Sequence, residues 1–369
     1  MQKRVPPEPK TTFSSVTFTH LAKPVQWSLL LALSLFLVYL GEMAGLPAAI
    51  LLGAMLAAIL MASRESSIRV HRHLTLLAQA IIGLLIARAM TVEFFASMGQ
   101  HLPVIFLSTG FTLLASTMIG YFLARFRIVS GTTAVWGISP GAAAAMTLMA
   151  DSFGADARLV AFMQYLRVVL VVTVASLVVM YATGTQTAAP AAIEWFPPIN
   201  WPALLPTLAV IICGAFLGDL SRIPTGAMLI PLALGAFLQD MELMVLDLPP
   251  WLLAVSYILI GWRIGLGFSR AILAHAARAF PAVLASTLLL IAICGLFGVF
   301  LGYLLDLDPL TAYLATSPGG ADTVAIIAAS SDVDLPFVIA LQTSRFFIVL
   351  LAGPAIARFI ASRIQKQIK

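Results

Sequence analysis

The sequence predicts an all-α polytopic membrane protein made of two inverted repeats, each of five transmembrane helices plus one re-entrant or broken hairpin. Three observations lead there. Hydrophobic residues make up 61% of the chain and charged residues 10%, where a soluble chain carries roughly 25% charged residues. Apolar runs recur from Pro24 to Ile360, most of them long enough to cross a hydrocarbon core of about 30 Å at about 1.5 Å per residue. The second half of the chain also repeats the first.

The elements follow in order. Residues 1–24 form a polar, basic tail with Pro6, Pro7 and Pro9, too short to fold alone and unlike a signal peptide. Apolar runs predict spans near 25–41, 46–63, 74–90, 103–124 and 159–182, the first membrane repeat (25–182). A linker at 183–200 carries no Lys or Arg. The second repeat (201–369) has spans near 201–218, 224–240, 250–267, 281–305 and 335–360, then a short basic tail. Two further apolar stretches, 131–150 and 309–329, are interrupted by Ser139-Pro140-Gly141 and Ser317-Pro318-Gly319. Proline lacks the amide proton a helix needs, and glycine permits backbone angles other residues avoid. Broken backbone at membrane depth persists only where protein or a polar cavity surrounds it.

The repeat rests on matched residues. Gly41-Glu42 stands against Gly218-Asp219 and Leu46-Pro47 against Ile223-Pro224, while Ile82-Gly83 stands against Ile260-Gly261 and Pro103 against Pro281. Ser139-Pro140-Gly141 falls on Ser317-Pro318-Gly319, and Gln164-x-x-Arg167 falls on Gln342-x-x-Arg345. Chance similarity between apolar stretches does not place both motifs at equal spacing.

Basic residues orient the halves. With each Ser-Pro-Gly stretch read as a hairpin, all 21 Lys and Arg residues except Arg88, Arg167, Arg263 and Arg345 fall on one side, which leaves 17 there. Positive residues mark the cytoplasmic side. The termini are therefore expected inside a bacterial inner membrane, the linker outside, and the hairpins entering from opposite sides. Reading both stretches as full crossings places Arg270 and Arg278 outside and two uncharged-by-cation loops inside, against that bias. Paired interrupted segments in inverted halves point to a transporter's binding site.

The candidate site therefore comprises Ser139, Pro140, Gly141, Gln164, Arg167, Ser317, Pro318, Gly319, Gly320, Asp322, Thr323, Gln342 and Arg345. Arg167 and Arg345 each lie about ten residues into an apolar helix, near the midplane, where a cation costs about 2.5–3.5 kcal/mol. Each guanidinium either tethers hairpin carbonyls or a carboxylate, or contacts the solute, and the two roles are compatible. Gln164 and Gln342 sit one turn earlier on the same face, able to bridge helices. Asp322 has the apolar counterpart Ala144, so the repeat does not require it; it could bind a proton or Na⁺, or pair with an arginine. Hairpin backbone can hold ions by itself, amides for anions and carbonyls for cations, although Gly141, Gly319, Gly320 and the alanines at 142–145 also suit tight packing.

Other features are quieter. Glu42 and Asp219 read as charges at the membrane boundary, and Trp27, Trp195, Trp201 and Trp251 as interfacial anchors. His71-x-His73 lacks a third ligand nearby, and Cys213 and Cys294 form neither a disulfide framework nor a metal site. No metal or cofactor is expected, and no catalytic constellation. A net charge of +5 comes from membrane-flanking loops and not from a nucleic-acid-binding module, so direct nucleic-acid contact is not expected.

The runs Ser-Pro-Gly-Ala-Ala-Ala at 139–144 and Ser-Pro-Gly-Gly-Ala-Asp at 317–322, each followed by Gln-x-x-Arg, resemble the bacterial AbrB membrane family over nearly the whole chain past the tail. That family carries an AbrB duplication, bears names such as ammonia monooxygenase and regulator AbrB, and is distinct from the small DNA-binding transition-state regulators. Five histidines without clustered carboxylates do not suit a copper or iron oxygenase. The expectation is a secondary transporter of a small solute, an anion, with the lipid bilayer and the solute as partners and self-association left open. No Gly-x-x-x-x-Gly-Lys-[Ser/Thr] occurs, so an ion or solute gradient supplies the drive. The alternative is a membrane-embedded regulator or sensor acting on gene expression indirectly.

Overall fold

The computed structural model describes residues 18, 21–44, 46, 48–88, 102–129, 131–141, 143–183, 194–223, 225–319, 324, 328 and 333–368. Among these the chain is all helix: α1 Lys23–Met43, α2 Ala49–Ser63, α3 Arg72–Ala87, α4 Leu102–Arg125, α5 Gly131–Ile138, α6 Ala143–Ser152, α7 Ala157–Thr183, α8 Trp201–Leu220, α9 Gly226–Asp240, α10 Pro250–Gly265, α11 Arg270–Leu305, α12 Pro309–Thr316 and α13 Leu335–Ile368. Six of them are long and apolar enough to cross a membrane: α1, α4, α7, α8, α11 and α13. Large apolar side chains on their outer faces are exposed, Phe36 and Tyr39 on α1 and Phe216 on α8 among them. That is what a lipid-facing surface requires and a water-facing one penalises. The protein is thus a multi-pass membrane protein.

Among the described residues every apolar run is helical, with two differences from expectation. The four helices α2, α3, α9 and α10 have only 15 or 16 residues. The helix expected from 281 begins at Arg270, capped by the Ser269 hydroxyl, and carries Pro281 inside it. Its counterpart Pro103 sits in the first turn of α4, where a missing amide costs nothing; the proline marks a helix start in one half only.

The helices form two bundles. In the first, α2 packs along α10 and α1, and α9 along α3 and α8. These contacts are close: a Cβ on Gly265 would stand 2.4 Å from the Met55 carbonyl oxygen, and one on Gly83 2.2 Å from that of Met228. Small residues let membrane helices approach this far. In the second bundle α4 packs on α5, α11 on α12, and both hairpin limbs on α7 and α13.

Related local features recur at matched positions. The residues before α2 and α9, Ala48 and Thr225, are both left-handed, with φ of 54° and 59°. Asp156 N donates to Thr133 Oγ1 at 3.0 Å, and Asp334 N to Thr311 Oγ1 at 3.2 Å.

The bundles are joined unevenly. One apolar core spans both, with Met55, Ile82 and Met228 against Trp136, Met163 and Ile138. Polar links between them gather at the end rich in arginine. Arg158 Nη1 donates to Gly267 O at 2.8 Å, Thr225 Oγ1 to Ser152 Oγ at 3.0 Å, and Arg270 Nε to Ser63 O at 3.1 Å, while Arg263 stands 3.8 Å from Asp151. Toward the other end the cores are separate. Leu84, Ile211 and Leu248 pack within the first bundle, and Ile105, Leu301 and Leu314 within the second.

Candidate functional site

The first hairpin is α5, the break at Ser139-Pro140-Gly141, and α6. Pro140 offers no amide, so α5 cannot continue, and Ser139 closes it by donating N–H to Val135 O at 3.0 Å and Oγ–H to the same oxygen at 2.7 Å. Carbonyls at this end have lost their helical partners. α7 supplies new ones. Gln164 Nε2 donates to Trp136 O at 2.7 Å and Ser139 O at 2.9 Å; Arg167 Nη1 donates to Ser139 O at 2.5 Å and Nη2 to Gly141 O at 3.0 Å. A cation at the carbonyl end of a helix also meets the favourable pole of its dipole.

The second break repeats this. Ser317 follows α12 with ψ of 136°, the extended setting that a following proline imposes. Gln342 Nε2 donates to Leu314 O at 2.6 Å and Ser317 O at 3.2 Å; Arg345 donates to Ser317 O at 2.8 Å, to Gly319 O at 3.0 Å and to Gln342 Oε1. Gly319 has to be small here: a Cβ would lie 2.7 Å from Val324 and 3.0 Å from Val171, one turn past Arg167 on α7. Each clasping helix thus reaches the other hairpin, α13 packing on α5 and α7 on α12.

Both arginines are buried, at 0% and 4% exposure. Among the described residues neither forms a salt bridge. A buried cation is costly unless it is paired and fully hydrogen-bonded, and carbonyls supply only part of that. Four hydroxyls on the buried face of α4, those of Ser108, Thr109, Thr112 and Ser116, add to the polar character of this bundle.

Of the expected site residues, the structure brings Ser139, Pro140, Gly141, Gln164 and Arg167 into one clasp and Ser317, Pro318, Gly319, Gln342 and Arg345 into another. Gly320, Asp322 and Thr323 lie outside the described residues. Not anticipated were Thr133 and Thr311, which seat each hairpin's first limb against the segment leading to its clasping helix. The matched Thr and Asp pairs were the available signal. Asp156 lies at that seat, outside the spans: burial pushes its carboxyl up, but hydrogen bonds and charge from Arg158 outweigh this and hold it below its ordinary value.

Elsewhere, Asp219 pairs with Arg72 at the surface, and the His71 and His73 rings stand 5.0 Å apart. No group of three metal-binding side chains occurs among the described residues.

The family model described as "Transition state regulatory protein AbrB" matches residues 50–361. The chain is 46% identical over 345 residues to a protein of Escherichia coli (strain K12) named "Putative regulator AbrB", covering 93% of this chain and 99% of that one. It is 26% identical over 316 residues to "Uncharacterized protein YhjN" of Bacillus subtilis (strain 168), covering 79% of each. No solved structure matches it. With a family model matching most of its length and a relative 46% identical over 93% of it, the chain belongs to the AbrB family.

Proposed function

We propose that this protein is a secondary transporter of a small anion, with its site where the two Ser-Pro-Gly hairpins meet. One observation carries the reading: two buried guanidiniums, at the breaks of two hairpins whose clasping helices each pack on the other hairpin, have no carboxylate partner among the described residues. Two cations held in a low-dielectric interior attract an anion more strongly than they could in water. The clasps make the arginines positioning residues first, holding the hairpin tips by their carbonyls. Their field and the amides opening α6 then act on the solute.

The remaining parts of the reading fit this one. The repeats 25–182 and 201–369 are inverted, with the tail 1–24 and the C-terminus in the cytoplasm of a bacterial inner membrane and the linker 183–200 outside. The uneven joining of the bundles supports alternating access: polar links close the arginine-rich end, and separate cores let the other end part. Transport then requires those links to break. Partners are the bilayer and the solute, with self-association open and neither a cofactor, an enzymatic reaction nor direct nucleic-acid contact invoked.

The relative's name, a regulator, supports a second reading in which the same site senses a ligand without moving it. Proteoliposomes separate the two. Purified protein reconstituted into vesicles should accumulate or exchange a labelled small anion, and Arg345→Met should abolish this. Binding without flux, for every anion that binds, would sink transport and leave the sensor.

A further inference from the structure

The two clasps differ in whether the glutamine and arginine of each bond to one another. In the second, Arg345 Nη2 donates to Gln342 Oε1 as well as to Gly319 O. In the first, Arg167 Nη2 reaches Gly141 O, but the bond to the glutamine oxygen is not made, and Arg167 Nε and Gln164 Oε1 are both buried without a partner among the described residues. The orientation of the Gln164 amide is not in question, because its nitrogen donates to two carbonyls, Trp136 O and Ser139 O. One clasp is therefore closed on itself. The other holds a spare donor and a spare acceptor one turn apart on α7.

Buried polar atoms in native proteins are satisfied with few exceptions, and an exception calls for a cause. A missing partner deprives each atom of the hydrogen bond it would have made to water. Both residues are at 0% exposure, so solvent at the surface does not supply it. A simple tether gives no cause for the spare acceptor, since in the second clasp the glutamine oxygen is met by its own arginine.

We propose that Gln164 and Arg167 form the ligand-contacting half of the site, and that the ligand is a small oxyanion that also carries a hydrogen-bond donor, such as a hydroxy- or amino-carboxylate. The oxyanion accepts from Arg167 Nε, and the ligand's O–H or N–H donates to Gln164 Oε1. A halide or a plain carboxylate satisfies only the first. Gln342 and Arg345, already paired, frame the second hairpin and add their charge. This rests on the reading of the hairpins as an anion site and goes further by naming which hairpin binds and what the anion must carry. The ligand enters when the bundles part, since neither atom is reachable from solvent as they stand.

The test uses the full chain, purified in nanodiscs, with thermal stabilisation titrated by three matched pairs: acetate and glycolate, propionate and lactate, succinate and malate. Within at least one pair the hydroxylated member should bind about tenfold tighter, the effect of one net hydrogen bond. Gln164→Met and Gln342→Met each remove a tether of the same kind. The first should abolish the preference within the pair, and the second should weaken both members while keeping their ratio. Equal affinity within every pair in the unsubstituted protein overturns the donor requirement and leaves the anion site standing. Loss of the ratio in both variants overturns the assignment to the first clasp. Binding of none of the six overturns the anion site as well. If a variant fails to fold, the ratio in the unsubstituted protein still decides the ligand class.

Discussion

Replacing each clasping arginine by methionine gives a comparison in which the cost of burying the cation cancels. Methionine fills similar volume and has no donors. In Arg167→Met, two charge-assisted hydrogen bonds are lost, to Ser139 O and Gly141 O; at about 1.5–3 kcal/mol each, that is a loss of about 3–6 kcal/mol. In Arg345→Met a third is lost, to Gln342 Oε1, beside those to Ser317 O and Gly319 O. Against both stands relief of the cation's burial, about 2.5–3.5 kcal/mol on insertion scales. That relief is nearly the same for two residues this buried, so it drops out of the difference. Arg345→Met should therefore be less stable than Arg167→Met by about 1.5–3 kcal/mol, one charge-assisted bond. Equilibrium unfolding of both variants in the same detergent, by tryptophan fluorescence against denaturant, measures it. Equal stabilities, or Arg167→Met the weaker, would refute the claim that only the second clasp is closed.

Two further outcomes follow from the seats and links around the hairpins. The carboxyl of Asp156 is held below its ordinary value of 3.8 in the folded protein, so its contribution is present above that value and is lost as pH falls through it toward the folded-state value. Melting between pH 6 and pH 3 should show an acid-side loss that Asp156→Asn removes; an unchanged profile argues against the seat. At the arginine-rich end, the Arg263–Asp151 pair is 3.8 Å apart with side chains 53% and 59% exposed, and such pairs contribute little. The Arg158 bond to Gly267 O is therefore the stronger link. In a chain with both native cysteines replaced, Arg158→Gln should speed thiol labelling of Ala143→Cys at the hairpin tip, and Asp151→Asn should not. The reverse order would contradict the ranking.

Much of this architecture is legible in the chain because the membrane imposes so few solutions. Apolar runs must be helices, since hydrocarbon satisfies no backbone amide, and each predicted span is one among the described residues. The hairpin breaks were legible because proline and glycine act locally. What the arginines do was not. Gln-x-x-Arg fixes which face the side chains share, but whether the guanidinium meets a carbonyl, a carboxylate or a solute depends on a hairpin 26 to 28 residues earlier in the chain. The start of α11 was misjudged because Pro281 matches Pro103 in sequence but not in setting. The two bundles were hidden because they form between halves, through approaches such as Gly265 to Met55 and Gly83 to Met228, which leave only scattered glycines as a trace. The open first clasp could not be read at all, for both copies spell the same four residues.

The lengths of α2, α3, α9 and α10 bear on the lipid. At 15 or 16 residues each rises about 22–24 Å, short of a hydrocarbon core of about 30 Å. The helix α11, at 36 residues, rises about 54 Å and overshoots it. In the first bundle only α1 and α8, at 21 and 20 residues, match that core, so the four short helices are carried between longer ones and any lipid that meets them directly must thin locally, at a cost of fractions of a kcal/mol per Å. A conformational change that alters how much of α2, α3, α9 and α10 meets lipid should therefore respond to acyl-chain length, shorter chains favouring the arrangement that exposes more of them.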